Sequence, residues 1–292
     1  MFSEDKIGIT LKRIRKAKGL TQKDVTGYVG ISQSNYSKYE IGKVDVNSEY
    51  LVRILDRMDI TFQEFYFIHN NYNVSSKEEI LQSFFNIPFQ NLDELIKFKL
   101  ICNEYLSKNY SDIIQDVLTL CEALLLINKN NDFKAARKIS SPIWNRLSKN
   151  DELFIFDIYF LNAILYIFSI DEALNIKEYV MRAYHKYNNF PKIVSVFVNL
   201  HINISLLLIE NQHFQKALDT LNQVEALCRR KKLYFQLPII LIRKGICLNN
   251  LKKHTTSGNL LIEEGKKYLK LFSEHEALGM LESEVSMYNY NN

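Results

Sequence analysis

A short polar segment near the N-terminus carries the side chains best suited to specific hydrogen-bonded recognition. In the major groove of DNA, Gln and Asn amides pair bidentately with adenine and Lys pairs with guanine. Ser is a residue type that often caps a helix, so the segment predicts a short helix opening on these side chains. The segment contains Ser32, Gln33, Ser34, Asn35, Ser37 and Lys38.

Sequence motifs of common enzyme sites are missing from the chain. It has no G-x-G-x-x-G, P-loop, H-E-x-x-H or G-x-S-x-G pattern, and its six His and four Cys lack the paired spacing of metal ligands. We therefore expect no catalytic residue, no metal site and no cofactor. The Cys residues lie in apolar helical contexts and are expected to be small buried side chains in a reducing cytoplasm.

Composition and charge divide the chain into a basic beginning and a long helical remainder. Only 9 Gly and 4 Pro occur in 292 residues, which favours long helices with short connections. The net charge is +4, yet the first 44 residues hold nine Lys or Arg against four Asp or Glu. The apolar stretch 193–209 is interrupted by Asn and His, so it predicts a buried helix and no membrane span.

Five short helices are predicted in the first 68 residues. One covers about 6–18 and ends at Gly19, and the next opens on the capping pattern that begins at Thr21. The third begins at Ser32, the fourth covers about 48–59, and the fifth begins at Thr61. Two helices joined through Gly30 and Ile31, with another behind them, form a helix-turn-helix whose second helix can enter the major groove.

The remaining chain predicts a helical repeat. The polar segment 69–76 is expected to be a linker between a domain at 1–68 and a domain at 77–292. Small residues recur about every 40 residues, at Ala135, Ala173 and Ala217, as expected for stacked helical hairpins. The predicted fold is all-α: a five-helix domain followed by a right-handed, tetratricopeptide-like solenoid, with an unrepeated helical bundle as the alternative.

The stretch 11–42 resembles the Cro/repressor-type (XRE) helix-turn-helix family. The matching positions include Arg15, Gly19-Leu20-Thr21-Gln22, Val29-Gly30-Ile31-Ser32 and Glu40-x-Gly42.

The resemblance implies a role for each of these positions. Gln22 would hold a DNA phosphate, while Gln33, Ser34 and Asn35 would face the bases, with Ser37 and Lys38 one turn further on. Arg15 and Glu40 would form an internal ion pair that fixes the recognition helix. Where many relatives have Ala in the second helix, this chain has Thr26-Gly27, and we expect Gly27 to preserve close helix packing. Candidates for phosphate neutralisation are Lys12, Arg13, Lys16, Lys23 and Lys43.

The chain as a whole resembles the Rgg/PlcR/PrgX group of peptide-responsive regulators, and its Rgg branch best. The resemblance implies a cytoplasmic homodimer whose repeat domain binds a short hydrophobic signalling (quorum-sensing) peptide on its concave face. Polar residues at helical spacing within apolar runs support a peptide site, because amides can bond the backbone of any extended peptide. Arg243 could take a terminal carboxylate or form an internal ion pair. These residues are Asn162, Tyr166, Asn199, Asn203, Gln236 and Arg243.

The function predicted from these observations is transcriptional regulation. A dimer would bind a pseudo-palindromic site in double-stranded DNA, and the peptide would change its activity, with no involvement of a membrane. One alternative is a protein-interaction scaffold in which the repeats sequester a protein partner. Another is a phage or plasmid repressor that senses a peptide, which has the same chemistry and other target genes.

Overall fold

The computed structural model describes residues 6–87, 91–130, 132–190, 193–252 and 255–288. Over these residues the chain forms α-helices and one short 3-10 helix, with no β-strand. Contacts divide it into two compact units, Met1–Cys121 and Glu122–Asn292. The all-α prediction is therefore confirmed, while the domain limits at 68 and 77 remain a prediction.

The first unit begins with the five short helices expected from the sequence. Their bounds are α1 Ile7–Ala17, α2 Gln22–Val29, α3 Gln33–Glu40, α4 Ser48–Arg57 and α5 Phe62–His69. Helices α6 Ser76–Asn86 and α7 Leu92–Lys108 follow, and α8 Asp112–Asn130 runs across the division between the units.

The capping residues read from the sequence mark the helix ends. The Thr21 hydroxyl accepts a hydrogen bond from the Asp24 amide, and Ser32 and Thr61 cap α3 and α5 in the same way. Gly30 and Gly42 follow α2 and α3 with φ of 79° and 67°, a left-handed conformation in which glycine is favoured.

The five helices α1 through α5 pack around one apolar cluster. Close approach between helices is needed at Gly8, where an added Cβ would lie 1.6 Å from the Tyr39 carbonyl oxygen. Gly27 does not serve this purpose: it is exposed, and nothing lies within 4 Å of an added Cβ, so the expectation of close packing there is wrong. The buried members of the cluster are Leu11, Ile14, Val25, Val29, Tyr36, Tyr39, Leu51, Ile54, Leu55, Met58 and Phe65.

The segment expected to be a linker is a tight turn between two helices. Helix α5 continues to His69 and α6 begins at Ser76. Between them, Tyr72 adopts a left-handed conformation with φ of 62°. The Arg13 guanidinium donates to the Ile68 carbonyl at 2.7 Å and lies 5.8 Å from the centre of the Tyr72 ring, so this turn is attached to α1.

The second unit is a series of helices in which, from α9, each contacts the next. Helices α10, α12, α14 and α16 contact one another in turn, as expected for stacked hairpins. The bounds are α9 Phe133–Leu147, α10 Ile155–Ile164, α11 Ile170–Lys186, α12 Ile193–Glu210, α13 Phe214–Arg230, α14 Gln236–Asn250, α15 Thr255–Leu271 and α16 His275–Tyr288.

Small residues bring the second helices of the hairpins close to their neighbours. Ala173 and Ala217 are fully buried, as the repeat predicts, but on α9 the fully buried residue is Ala136 and its neighbour Ala135 is partly exposed. Helices α14 and α15 pack still more closely. A Cβ added to Gly245 would lie 2.5 Å from the Gly258 carbonyl oxygen.

Helix α12 is long and apolar enough to cross a membrane by length and composition alone, with a mean hydropathy of 1.8. In this structure it packs against α11, α13 and α14, and 56% of the helix is buried. These contacts describe a core helix of a folded unit.

Candidate functional site

Helix α3 presents a polar face to solvent and an aromatic face to the core. Gln33, Ser34, Asn35 and Lys38 are exposed and Ser37 is half-buried. On the opposite side, the Tyr36 and Tyr39 rings are buried in the apolar cluster. The Ser32 hydroxyl oxygen accepts a hydrogen bond from the backbone N–H of Asn35 at 3.2 Å and so fixes where the helix begins. The exposed side chains are therefore available for contact with a partner.

A buried ion pair holds the end of α3 against α1. Arg15 Nε donates to Glu40 Oε1 at 2.5 Å and Arg15 Nη2 donates to Oε2 at 2.9 Å. The side chains are only 9% and 1% exposed, and Arg15 also donates to the Leu20 carbonyl at 2.6 Å. A bidentate pair of this kind restricts rotation of both side chains, so it fixes the orientation of α3.

The charge of each partner is stabilised by the other. The hydrogen bond to Glu40 raises the pKa of Arg15. Burial alone would raise the pKa of Glu40, but hydrogen bonds from Arg15 and Gln22 outweigh burial and lower it. Both groups therefore stay charged over the physiological pH range.

Gln22 connects the ion pair to the exposed face. Its Nε2 donates to Glu40 Oε2 at 2.9 Å, and its Oε1 accepts a longer bond of 3.4 Å from Gln33 Nε2. Gln22 is half-buried, so its amide is positioned by α3 and can still be reached from solvent. The predicted phosphate ligand and the predicted base-reading residue are thus in contact.

The basic residues predicted to neutralise DNA phosphates lie in different surroundings. Lys23 and Lys43 are both exposed. In the sequence, Lys23 precedes α3 and Lys43 follows it. Arg13 is occupied by the Ile68 carbonyl and the Tyr72 ring. Lys6, which no sequence pattern singled out, donates to the Gly42 carbonyl at 2.6 Å and so holds the turn that precedes Lys43.

In the second unit, polar side chains connect alternate helices, and several of these contacts join residues that are 41 positions apart. Asn203 Nδ2 on α12 donates to both the backbone and the side-chain oxygen of Asn162 on α10, each at 3.1 Å. Gln236 on α14 donates to the Ser195 hydroxyl at 3.0 Å. We call the face formed by α10, α12, α14 and α16 the ladder face.

Arg243 forms the internal ion pair that the sequence left as one of two possibilities. Its Nε and Nη2 donate to Glu284 at 2.8 and 2.7 Å, and its Nη1 donates to the Ile202 carbonyl at 2.7 Å. The two side chains are 4% and 11% exposed. The guanidinium is therefore already bound on both of its edges.

The other predicted peptide ligands differ in exposure. Asn162 is buried, and Asn199, Asn203 and Gln236 are half-buried. The side chain of Tyr166 lies outside the part of the chain that the structure describes. Sequence spacing grouped these residues within single helices, whereas the structure joins Asn162 to Asn203 across two helices.

Neither metal ligands nor reactive thiols are brought together in the described residues. No group of three or more His, Cys, Asp or Glu side chains there could hold a metal ion. The four Cys are buried and form no disulfide, and burial raises the pKa of the Cys102 thiol to about 12. A thiol with such a pKa is a poor nucleophile at neutral pH.

The chain is similar to known proteins in sequence over one segment and in structure over nearly its whole length. Residues 11–65 match the model of a helix-turn-helix family. The SHP pheromone receptor Rgg2 of Streptococcus dysgalactiae is similar in structure, with a TM-score of 0.72 and 16% identity over 96% of this chain and 99% of that one.

Two further similar structures contain bound partners. PlcR of Bacillus thuringiensis, in complex with the peptide PapR7 and DNA, has a TM-score of 0.72 and 16% identity over 94% of this chain and 98% of that one. ComR of S. thermophilus, in complex with DNA and its signalling peptide ComS, has a TM-score of 0.64 and 12% identity, covering 97% and 100%. At these identities the likeness establishes a shared fold over nearly the whole chain.

Proposed function

We propose that this chain is a sequence-specific, DNA-binding transcriptional regulator controlled by a short signalling peptide. The observation that carries the proposal is the polar, exposed face of α3, held from behind by the buried Arg15–Glu40 pair. A helix presented in this way can lie in a major groove about 12 Å wide. The match of residues 11–65 to a helix-turn-helix family supports this placement.

The polar residues on and around α3 have distinct roles in the proposed complex. Gln33, Ser34 and Asn35 contact base edges, and Ser37 and Lys38 extend the contact by one turn. Gln22 binds a phosphate and at the same time holds Gln33 in place. Lys23 and Lys43 neutralise phosphates, which strengthens binding to any sequence without selecting among sequences.

A dimer fits this mode of recognition. Two recognition helices related by a two-fold axis bind half-sites about one helical turn apart, or a multiple of that distance. The operator is then a pseudo-palindrome. The protein acts in the cytoplasm, where the DNA is, and it works by binding alone.

The proposed peptide site is the ladder face of the second unit. Asn162, Asn199, Asn203 and Gln236 lie on its helices and can hydrogen-bond the backbone of an extended hydrophobic peptide. PlcR and ComR, which share this fold, were crystallised with peptides. Arg243 takes part in binding a terminal carboxylate only if Glu284 leaves it, since both edges of the guanidinium are occupied.

Selection from random duplexes tests the DNA-binding part without knowledge of the operator. The full-length protein should enrich a pseudo-palindromic sequence, and fluorescence anisotropy should then show tight binding of that duplex. Failure to enrich any sequence, together with co-purification of one protein partner, would favour the scaffold alternative.

The peptide part is tested on the same duplex. Synthetic short hydrophobic peptides, taken from small reading frames beside the gene, should change the affinity for DNA when added at micromolar concentration. A scrambled peptide of equal composition is the control. If every candidate peptide leaves both DNA affinity and thermal stability unchanged, the peptide part of the proposal is wrong.

A further inference from the structure

Three aromatic rings lie together where the connection between α13 and α14 meets the end of α15. The Tyr234 and Phe272 ring centres are 6.0 Å apart. Tyr268, on the last turn of α15, stacks on Phe272 with ring centres 6.5 Å apart and an angle of 10° between the ring planes. Tyr234 and Phe272 are 56% and 42% exposed, so a molecule in solution can reach these rings.

The three rings line a cavity of about 240 Å³, which we call the ring cavity. Leu233 and Leu237 add aliphatic wall, and the buried Cys228 thiol, which also lines it, donates to the Leu233 carbonyl at 3.2 Å. Clefts that hold drug-sized ligands measure about 300–1,000 Å³. The ring cavity is smaller, so it suits a molecule of one or two rings.

Two cationic side chains line the same cavity, Arg229 and Lys232. Arg229 Nε donates to Glu225 at 3.0 Å, and Glu264 lies 3.6 Å from its Nη2. Burial alone would lower the pKa of Arg229, but Glu225 and Glu264 outweigh burial and raise it. The exposed Lys232 ammonium group, by contrast, forms no ion pair or hydrogen bond with the residues that the structure describes. Its positive charge is therefore available to an anion.

The backbone of a tight turn places Lys232 beside the rings. Lys232 is left-handed, with φ of 55°. Its N–H donates to the Arg229 carbonyl at 3.2 Å, and its own carbonyl accepts from the Tyr234 N–H at 3.0 Å. The turn thus presents a cation and an aromatic ring to the same cavity.

The helical repeat does not require these rings. Contacts between alternate helices join residues 41 positions apart. Leu227 and Lys231 stand 41 positions before Tyr268 and Phe272. The rings at 268 and 272 are therefore a feature of this place in the chain and not of the repeat.

We propose that the ring cavity binds a small aromatic carboxylate. The ring of the ligand packs against Tyr234 and Phe272, in the offset or edge-to-face arrangements that aromatic pairs favour. Its carboxylate accepts a charge-assisted hydrogen bond from the Lys232 ammonium group. An uncharged ring lacks the second contact, and an aliphatic acid lacks the first.

This site is separate from the proposed peptide site. Gln236 donates to Ser195 on the ladder face, whereas its neighbour Leu237 lines the ring cavity. The inference goes beyond the proposed function and depends on neither DNA nor peptide binding, so it is tested on the full-length protein alone.

Fluorine NMR with 4-fluorophenylacetate as the probe tests the chemistry of the ligand. Addition of the protein should broaden the fluorine signal, and titration should show saturable binding to one site per chain. The matched control is 4-fluorophenylacetamide, which has the same shape without the charge and should bind about fivefold more weakly. Acetate should not displace the probe. Absence of binding at millimolar probe, or equal affinity for acid and amide, overturns the proposal.

Substitutions locate the bound probe. Lys232→Asn removes the charge and keeps the turn, because Asn tolerates the left-handed conformation, and should weaken binding about fivefold. Lys252→Asn is its control, since Lys252 is exposed and left-handed with φ of 53° and does not line the ring cavity.

Tyr234→Ala should weaken binding of the probe by a similar factor, because it removes one ring from the wall of the cavity. Its control is Tyr110→Ala, at a position that is 90% exposed between α7 and α8. Wild-type affinity in both Lys232→Asn and Tyr234→Ala would show that the probe binds elsewhere and that the proposal is wrong.

Discussion

At the scale of single residues, the Arg15–Glu40 pair is the feature on which recognition depends. Both side chains are buried, and each satisfies the charge of the other. Gln22 extends the hydrogen bonds from this pair to Gln33 on the exposed face. Any change that moves Glu40 is therefore expected to alter both stability and the position of the base-contacting residues.

Glu40→Ala should lower the free energy of unfolding by about 3–5 kcal/mol, because it leaves the Arg15 guanidinium buried without its partner. Urea denaturation measures the loss. Glu49→Ala is the control, since Glu49 is 68% exposed in its pair with Arg53 and should change stability by less than about 1 kcal/mol. Equal effects of the two substitutions would contradict the assigned role of the buried pair.

Gln33→Ala and Lys23→Ala should affect DNA binding in different ways. Loss of the Gln33 amide should reduce discrimination at one base pair by about 1–3 kcal/mol, because that amide reads a base edge. Loss of Lys23 should weaken binding to all duplexes evenly and lower the dependence of log affinity on log salt by about 1. Anisotropy on matched and mismatched duplexes at several salt concentrations separates these outcomes. Identical profiles for both variants would argue against the assignment.

His201 gives the second unit a dependence on pH. The ring is buried, Nδ1 lies 2.9 Å from the Phe197 carbonyl oxygen, and burial lowers the pKa. Below the ordinary value of about 6.5, the unfolded chain takes up a proton that the folded chain resists, so the free energy of unfolding should fall from pH 7 to pH 5.

His201→Gln should make this fall smaller than it is in the wild-type protein. Urea denaturation at each pH measures the difference. A pH dependence that His201→Gln does not alter would show that other groups cause it.

At the scale of helices, the N-terminal unit could be predicted in detail because its boundaries are encoded locally. Thr21, Ser32 and Thr61 begin helices, and Gly30 and Gly42 end them, each through its own backbone or side chain. The role of Gly8 could not be predicted, because it depends on how closely α3 approaches α1. The prediction of close packing at Gly27 is wrong for the same reason, because residues far away in the sequence decide whether a helix packs there.

Substitutions at these two glycines should have opposite effects. Gly8→Ala should destabilise the protein by about 1–3 kcal/mol, because its Cβ would overlap the Tyr39 carbonyl oxygen. Gly27→Ala should raise stability by up to about 1 kcal/mol, because alanine favours the helix and nothing lies in its way. Thermal denaturation of the two variants measures both. A stabilising Gly8→Ala would mean that α1 and α3 are further apart than in this structure.

At the scale of the whole molecule, the sequence predicts the repeat and its approximate period but not the contacts between repeats. The predicted spacing was about 40 residues, and the polar contacts of the ladder face recur at 41. The partners of Arg243 and Asn162 could not be assigned from one sequence, since they lie on helices far away along the chain. The same is true of Tyr234 and Phe272, whose rings meet only in the fold.

Asn203→Ala should lower the affinity for an activating peptide about tenfold, because the Asn203 amide lies on the proposed peptide face and holds Asn162. Isothermal titration with a peptide that changes DNA affinity measures the loss. Asn211→Ala is the control, because Asn211 is exposed and directly follows the last residue of α12. An unchanged affinity for Asn203→Ala would place the peptide elsewhere.

The central claim is that α3 lies against the bases of duplex DNA, and photo-crosslinking tests it most directly. A photoreactive amino acid replaces Ser34 in one variant and the exposed Leu260 in another, and each is irradiated with the duplex recovered from random selection. We expect a crosslink to a base within a half-site from position 34 and none from position 260. Tight binding of the duplex without any crosslink from position 34 would contradict the claim.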